Sequence, residues 1–272
     1  MRPLVFFLGL VFLCAPFCAR AGVQPVTITP HVAIYDMALA SVKNGSDITD
    51  ASGRMMFSWR DVCDGWAVEQ HMKLHFSYSD DNDQDITSSE LSWEAKNGKA
   101  YTFNVRRVTN GAETERYRGK AVQNPDGSVT VTYSLPKEKT EHLPPGTLFP
   151  SAHTMLILAK AAQGEKFFTR RVFDGSDAVG QSDISAFILP PQPVSASGLP
   201  EKMRKNPLLA APAWPVHMAF FDPTQQTEEP DYEMDLDLVP NGVARHMKID
   251  YGDFAVTGTL QALKPLPPVK CP

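Results

Sequence analysis

The sequence predicts an all-β protein with a minor α-helical part, a long antiparallel meander curled or closed as a barrel. Three observations predict it. At least eleven runs carry apolar residues at near-alternate positions, which is the period of a half-buried strand. Compact turn signals join many of them: Asn97-Gly98, Asn124-Pro125-Asp126-Gly127 and Pro240-Asn241-Gly242. These residues tolerate positive φ or preset the turn. One stretch, Ser151 to Gly164, breaks the period and reads as a buried helix. A meander of this length must curl or close to protect its edges.

The chain opens with a leader. Met1-Arg2-Pro3 is positive, Leu4 to Cys18 is an apolar run of 15 residues, and Ala19-Arg20-Ala21 is an A-x-A cleavage site. This is the layout of a secretory signal peptide, and the run is short of the roughly 20 residues that span a bilayer. Cleavage after Ala21 would leave residues 22–272 as one exported domain. With Arg2 and Arg20 removed, 24 basic side chains face 31 acidic ones. That balance argues against nucleic acid as a partner.

The strands follow in order. His31 to Ala40 and Gly53 to Trp59 are the first two. Trp66 to Tyr78 is the clearest, with Trp66, Val68, Gln70, Met72, Leu74, Phe76 and Tyr78 on one face. Ile86–Ala95 and Tyr101–Val108 flank Asn97-Gly98, and Glu113–Gln123 and Ser128–Leu135 flank Asn124–Gly127. Ser151 is placed as the N-cap of the helix and Gly164 as its C′ residue. Further strands are Phe167–Phe173, Ser182–Leu189, Val216–Phe221, Tyr232–Val239, Val243–Tyr251 and Phe254–Leu263. The stretch from Pro190 to Pro215 holds seven prolines and reads as a long ordered loop, because a free linker would expose Leu208, Leu209 and Trp214. The helix belongs on the concave side of the sheet, where it could act as a plug.

Cys14 and Cys18 leave with the leader, so the mature chain keeps Cys63 and Cys271. An even number in an oxidising compartment favours a disulfide over two buried thiols, since Cys271 lies in a Pro-rich tail.

No constellation points to catalysis. Asp80, Asp81, Asp83 and Asp85 lack the Gly and Glu of a calcium loop at the required offsets. The seven histidines show no metal spacing, so no metal and no cofactor are expected. Ser151-Ala152-His153 has no nucleophile elbow before it, and neither phosphate-binding glycine pattern is present.

Several runs together resemble the EipB family of periplasmic cell-envelope integrity proteins. They are His31-Val32-Ala33-Ile34-Tyr35-Asp36, Gly53-Arg54-Met55, Cys63-Asp64-Gly65-Trp66, and the block from Leu143-Pro144-Pro145-Gly146-Thr147-Leu148-Phe149-Pro150 through His153-Thr154. Val172-Phe173-Asp174-Gly175-Ser176-Asp177 and the terminal Cys271 complete the set. The resemblance implies about fourteen strands in a spiral-like shell, similar to lipoprotein carriers of the LolA and LolB kind. It also implies a disulfide from the early strands to the C-terminus, matched by Cys63 and Cys271. It carries no catalytic residue.

The expected function is therefore a non-enzymatic, monomeric envelope-integrity protein. Its partner would be another envelope protein or a lipoprotein, or its ligand an acyl chain. The alternative is a hydrolase or transferase acting on envelope polymers, which requires two ionisable groups in hydrogen-bond reach.

Overall fold

The structure, a computed structural model, describes residues 26–271 except 81, 197 and 226. The leader and its cleavage site lie outside the described residues.

Two meanders make the fold. The first is β1 (His31–Val42), β2 (Ile48–Asp61), β3 (Gly65–Tyr78), β4 (Gln84–Ala95), β5 (Ala100–Thr109), β6 (Ala112–Gln123), β7 (Val129–Leu135) and β8 (Lys139–Leu143). Helix α1 (Pro150–Ala162) leads to the second, which is β9 (Phe167–Phe173), β10 (Gln181–Ile188), β11 (Trp214–Phe221), β12 (Tyr232–Leu238), β13 (Ala244–Asp250) and β14 (Phe254–Pro265). A short helix, α2 (Glu201–Arg204), lies between β10 and β11. All fourteen strands form one sheet, ordered β8 to β1 and then β14 to β9, with antiparallel pairing throughout. Periodicity alone does not reveal β8: Lys139-Thr140-Glu141-His142-Leu143 has no apolar alternation, and only its pairing with β7 makes it a strand.

One face of the sheet carries the core. The register places Tyr35 opposite Met55 and Met55 opposite Met72, and all three point inward. In the second meander Phe168, Ala186 and Met218 lie in one inward row. The expected inward face of β3 is therefore the observed one. The sheet curls strongly: Phe103 of β5 and Phe173 of β9 have ring centroids 5.4 Å apart, although nearly the whole sheet separates their strands in the order. The curl does not close into a barrel. The free edge of β9 is covered instead by the segment after β8, where Leu148 bridges to Val172 in parallel.

Helix α1 sits inside the curl, as expected. Ile157, Leu158 and Ala161 pack with Trp59, Trp66, Phe168, Val172 and Ile184. The expected cap is corrected. Phe149, not Ser151, is the N-cap residue and offers no side-chain bond, while Pro150 takes the first turn. Ser151 lies inside the helix, and a carboxylate from β4, Glu94, accepts from the free amides of Ser151 and Ala152 at 2.7 and 2.8 Å. A helix start buried beneath a sheet can be capped by a neighbouring strand. Gly164 ends the helix at φ +77°, donating to Ala161 O.

The Pro190–Pro215 segment is bonded to the sheet. Arg245, 1 % exposed, donates to the carbonyls of Leu209, Ala211 and Gln192. Asn206 Nδ2 reaches Leu263 O at 3.1 Å, and Asn241 Nδ2 reaches Leu208 O at 2.8 Å. Leu199, Met203 and Leu209 thereby join Tyr35, Met55 and Leu260 in the core. Cys63 and Cys271 form a disulfide, with Cα atoms 5.5 Å apart, across 208 residues.

Candidate functional site

Most of the motif residues converge on one inner corner of the shell. His31, 1 % exposed, bonds Thr29 O through Nδ1 at 2.7 Å, and its ring lies 5.9 Å from Phe57. Phe57 meets Trp59 edge-on at 6.2 Å, and Trp59 meets Trp66 at 6.0 Å. Trp66 is opposite Glu94 in the register, and Glu94 is opposite Tyr101. The Tyr101 ring stacks on Phe149 at 5.1 Å, and its hydroxyl donates to Asp174 O at 3.1 Å. Thr147 donates its hydroxyl to Pro144 O at 2.8 Å, shaping the Pro144-Pro145-Gly146-Thr147 turn that delivers Phe149. His153 is buried with its ring 5.8 Å from Phe168.

Gly175, at φ +67°, leaves no room for a side chain, since a Cβ there would lie 2.6 Å from the Phe103 ring. Tyr35 sits apart from this corner and donates to Ala244 O at 2.7 Å. Asp36 is elsewhere altogether, in an exposed ion pair with Arg54. Asp64 accepts Lys96 N–H at 2.9 Å in the turn beside the disulfide. These contacts make the motif block chiefly a closure device for the curl.

The corner opens onto a polar stretch of concave wall that the motifs do not contain. On β4 the pattern is inverted: Ser88, Glu90, Ser92 and Glu94 face inward, while Leu91 and Trp93 face outward. The inward face continues across β5 and β6 through Arg107 and Glu115, which are ion-paired. Tyr232 of β12 and Tyr251, after β13, approach from the other meander. Tyr251 senses the charges of Arg107 and Glu90, and Tyr232 those of Asp174 and Glu90. Glu90 is ringed by protein yet keeps part of its surface open, and Tyr251 is 40 % exposed. Helix α1 packs against β9 and β10, and in this stretch of concave wall, the recess, Glu90, Arg107, Glu115 and Tyr232 are half-buried while Tyr251 is exposed.

The electrostatics are unusual for carboxylates. Burial pushes Glu94 up to about 7 against the pull of the Ser151 and Ala152 amides. Burial lifts Asp174 to about 6 against its bond from Ser176 N–H. Glu90 is raised by burial, and the Arg107 charge opposes the shift. His153 is pushed down to about 4, first by burial and then by Arg170. Perturbed groups of this kind cluster at functional sites. Here both Glu94 oxygens are occupied by backbone amides, which suits holding rather than proton transfer.

Among the described residues no group of His, Cys, Asp and Glu could hold a metal ion. A serine–histidine–carboxylate sequence does occur, on the outer face. Ser77 Oγ is 3.4 Å from His75 Nε2, and His75 Nδ1 is 3.2 Å from Asp85 Oδ1. Asp85, one of the four aspartates that fail the calcium-loop pattern, thus pairs with His75, a contact that only the β3–β4 register brings about. The inverted strand was legible in principle: the Asn97-Gly98 turn fixes the register that sets Glu94 beside Tyr101.

Residues 23–267 match the family model described as EipB-like. The chain belongs to the EipB-like family. It is 30 % identical over 260 residues to the cell envelope integrity protein EipB of Brucella abortus (strain 2308), covering 93 % of this chain and 90 % of that one. A crystal structure of a beta-barrel-like protein of a domain of unknown function from Brucella abortus superposes with a TM-score of 0.80 at 28 % identity. That match covers 89 % of this chain and the whole of the other. The curled, barrel-like sheet is thus an EipB-like fold, and the disulfide fits an exported member of the family.

Proposed function

We propose that this protein works in the periplasm as an envelope-integrity protein, by binding rather than catalysis, and that it seats a polypeptide segment of another envelope protein in the concave recess. The observation that carries this reading is the inward polar wall where half-buried Glu90, Arg107 and Tyr232 meet the exposed Tyr251. A wall of carboxylate, guanidinium and phenol offers paired donors and acceptors to a peptide. It would leave those groups unmatched against an acyl chain. The relationship to an envelope integrity protein supports the cellular role.

Two tests address it. Deleting the gene should raise sensitivity to detergents and cell-wall antibiotics, and unchanged sensitivity to both would count against the envelope role. A photo-crosslinking residue in place of Tyr251 should trap one discrete protein adduct in intact cells. An adduct carrying acyl lipid instead would overturn the peptide reading.

A second reading rests on Ser77, His75 and Asp85 as a hydrolase. Two facts weaken it. The side chains of His75 and Asp85 are 43 % and 58 % exposed, so water screens the electrostatics catalysis needs. Asp83 Oδ2 also lies 3.4 Å from His75 Nε2 and competes for the nitrogen a base would use. Reaction of Ser77 with a fluorophosphonate probe, abolished by Ser77→Ala, would restore the enzymatic reading.

A further inference from the structure

The inversion of β4 has a second face. An open groove of about 570 Å³ lies on the outer side of β4, β5 and β6, away from the recess. Leu91, Asn104 and Arg118 form one row across the three strands, and Trp93, Thr102 and Lys120 form the next. The rows are about 7 Å apart and the three strands span about 10 Å. Trp93, half-buried, lies against β3 where Gly65 has no side chain, since a Cβ there would come 2.2 Å from Trp93 Nε1. The motif glycine thus makes room for the indole in one wall of the groove.

Three features point to a ligand. Leu91 is 42 % exposed beside the indole, an apolar shelf facing solvent in the middle of a polar outer face. Asn104 Oδ1 is buried and has no hydrogen-bond partner among the described residues. An acceptor left so is a deficit that a ligand hydroxyl or amide can fill. Arg106 and Arg116 share Glu113, whereas Arg118 and Lys120 have no carboxylate partner among the described residues. A free guanidinium, a planar fork of donors, suits bidentate capture of a carboxylate or phosphate.

We propose that this groove binds an acidic saccharide. The indole and Leu91 take the apolar face of a sugar ring, Asn104 accepts from a ring hydroxyl, and Arg118, supported by Lys120, holds the acidic substituent. An acyl chain would strand Asn104 and Arg118, and a neutral sugar would leave Arg118 unused. The groove is open and shallow, which fits a polymer passing over the surface better than a small enclosed ligand.

The test uses the full exported chain with its disulfide intact. Binding is measured calorimetrically for oligogalacturonate, a muramic-acid-containing glycan fragment and a phosphorylated oligosaccharide. Maltotetraose is the neutral control and tetraglutamate the peptide control. At least one acidic saccharide should bind, with maltotetraose and tetraglutamate weaker by about tenfold or more. Arg118→Gln should weaken that binding about tenfold without moving the melting temperature, because the side chain is exposed and unpaired. Trp93→Ala should abolish it, and Trp93→Phe should restore part. Absence of binding by all three acidic saccharides would overturn the proposal, as would full binding by Arg118→Gln or equal binding by tetraglutamate.

Discussion

The carboxylate of Glu94, on the fourth strand, accepts the amide proton of Ser151 at 2.7 Å, so a strand of the first meander holds the start of the helix that leads into the second. Glu94 is 2 % exposed, and burial raises it from an ordinary 4.5 to about 7. The stability it contributes is therefore fully present below pH 4.5 and is lost as pH rises through about 7. Glu94→Gln keeps one acceptor oxygen and turns an amino group toward the other amide. It should cost about 1–2 kcal/mol at pH 5, and the gap to wild type should narrow by pH 7.5. Urea melts of both proteins at the two pH values check this; a gap that stays constant means Glu94 does not titrate in the fold.

His153 pulls the other way. Its depressed value, about 4 against an ordinary 6.5, contributes stability present above pH 6.5 and lost as pH falls through about 4. Its Nε2 has no partner among the described residues, so replacement by an aromatic ring sacrifices no hydrogen bond from that atom. His153→Phe should lose less stability than wild type between pH 7.5 and pH 4.5 in the same melts. An unchanged acid loss would show that the imidazole is not the group responsible.

The Cys63–Cys271 bond should act as one interaction. Cys63→Ser, Cys271→Ser and the double variant should lose the same melting temperature. Closing a 208-residue loop is worth up to about 5 kcal/mol in the chain-entropy account. Additive losses in the double variant, or two reactive thiols in the oxidised, denatured chain of residues 22–272, would contradict a shared bond.

The aromatic knot at Gly175 should be intolerant. Gly175→Ala must hold a left-handed φ of +67° and push a methyl into the Phe103 ring. Phe149→Ala removes a fully buried ring stacked on Tyr101, a loss of about 3–5 kcal/mol. Gly164→Ala shares the positive φ but has open space around it and should lose less. Thermal melts of the three rank these effects, and Gly164→Ala proving the worse of the two glycine changes would refute the role of Phe103.

Arg245 should govern the proline-rich loop. Arg245→Met strands the carbonyls it serves on Leu209, Ala211 and Gln192 and should expose the 190–215 segment to protease. Arg245→Lys should not rescue it, since one ammonium cannot reproduce the planar fork. Limited proteolysis followed by mass mapping reads this, and cleavage elsewhere first would argue that the loop is held by other bonds.

Much of the fold was legible because the physics was local. The alternation from Trp66 to Tyr78 and the turns at Asn97-Gly98 and Asn124–Gly127 need only neighbours along the chain to be read. The strand Lys139–Leu143 was not, because pairing with Val129–Leu135 rather than apolar pattern makes it a strand. The Ser151 cap failed for a similar reason: the acceptor that replaces it comes from residue 94, across the sheet. The recess was missed because Glu90 and Glu94 look like solvent-facing polar positions until Tyr101 fixes which side is inward. Arg245 gave no signal either, as a lone basic residue in a strand reads as surface. Of the motif residues, those of the aromatic corner share one place, and Tyr35, Asp36 and Asp64 lie outside it.

The pairing of the first strand with the last has a consequence for assembly. His31 lies opposite Pro265 and Val42 opposite Phe254, so the two meanders meet at a seam made by the chain's most distant strands. Each meander can zip from its own hairpins, but the seam must wait until residue 265 has been synthesised. Contacts of such sequence separation form late and slowly. Until they do, the first and last strands each present an unpaired edge, open to the wrong neighbour. The molecule is therefore most vulnerable to misassembly just before its ends meet, and the bond from Cys63 to Cys271 beside the seam locks the arrangement once they have.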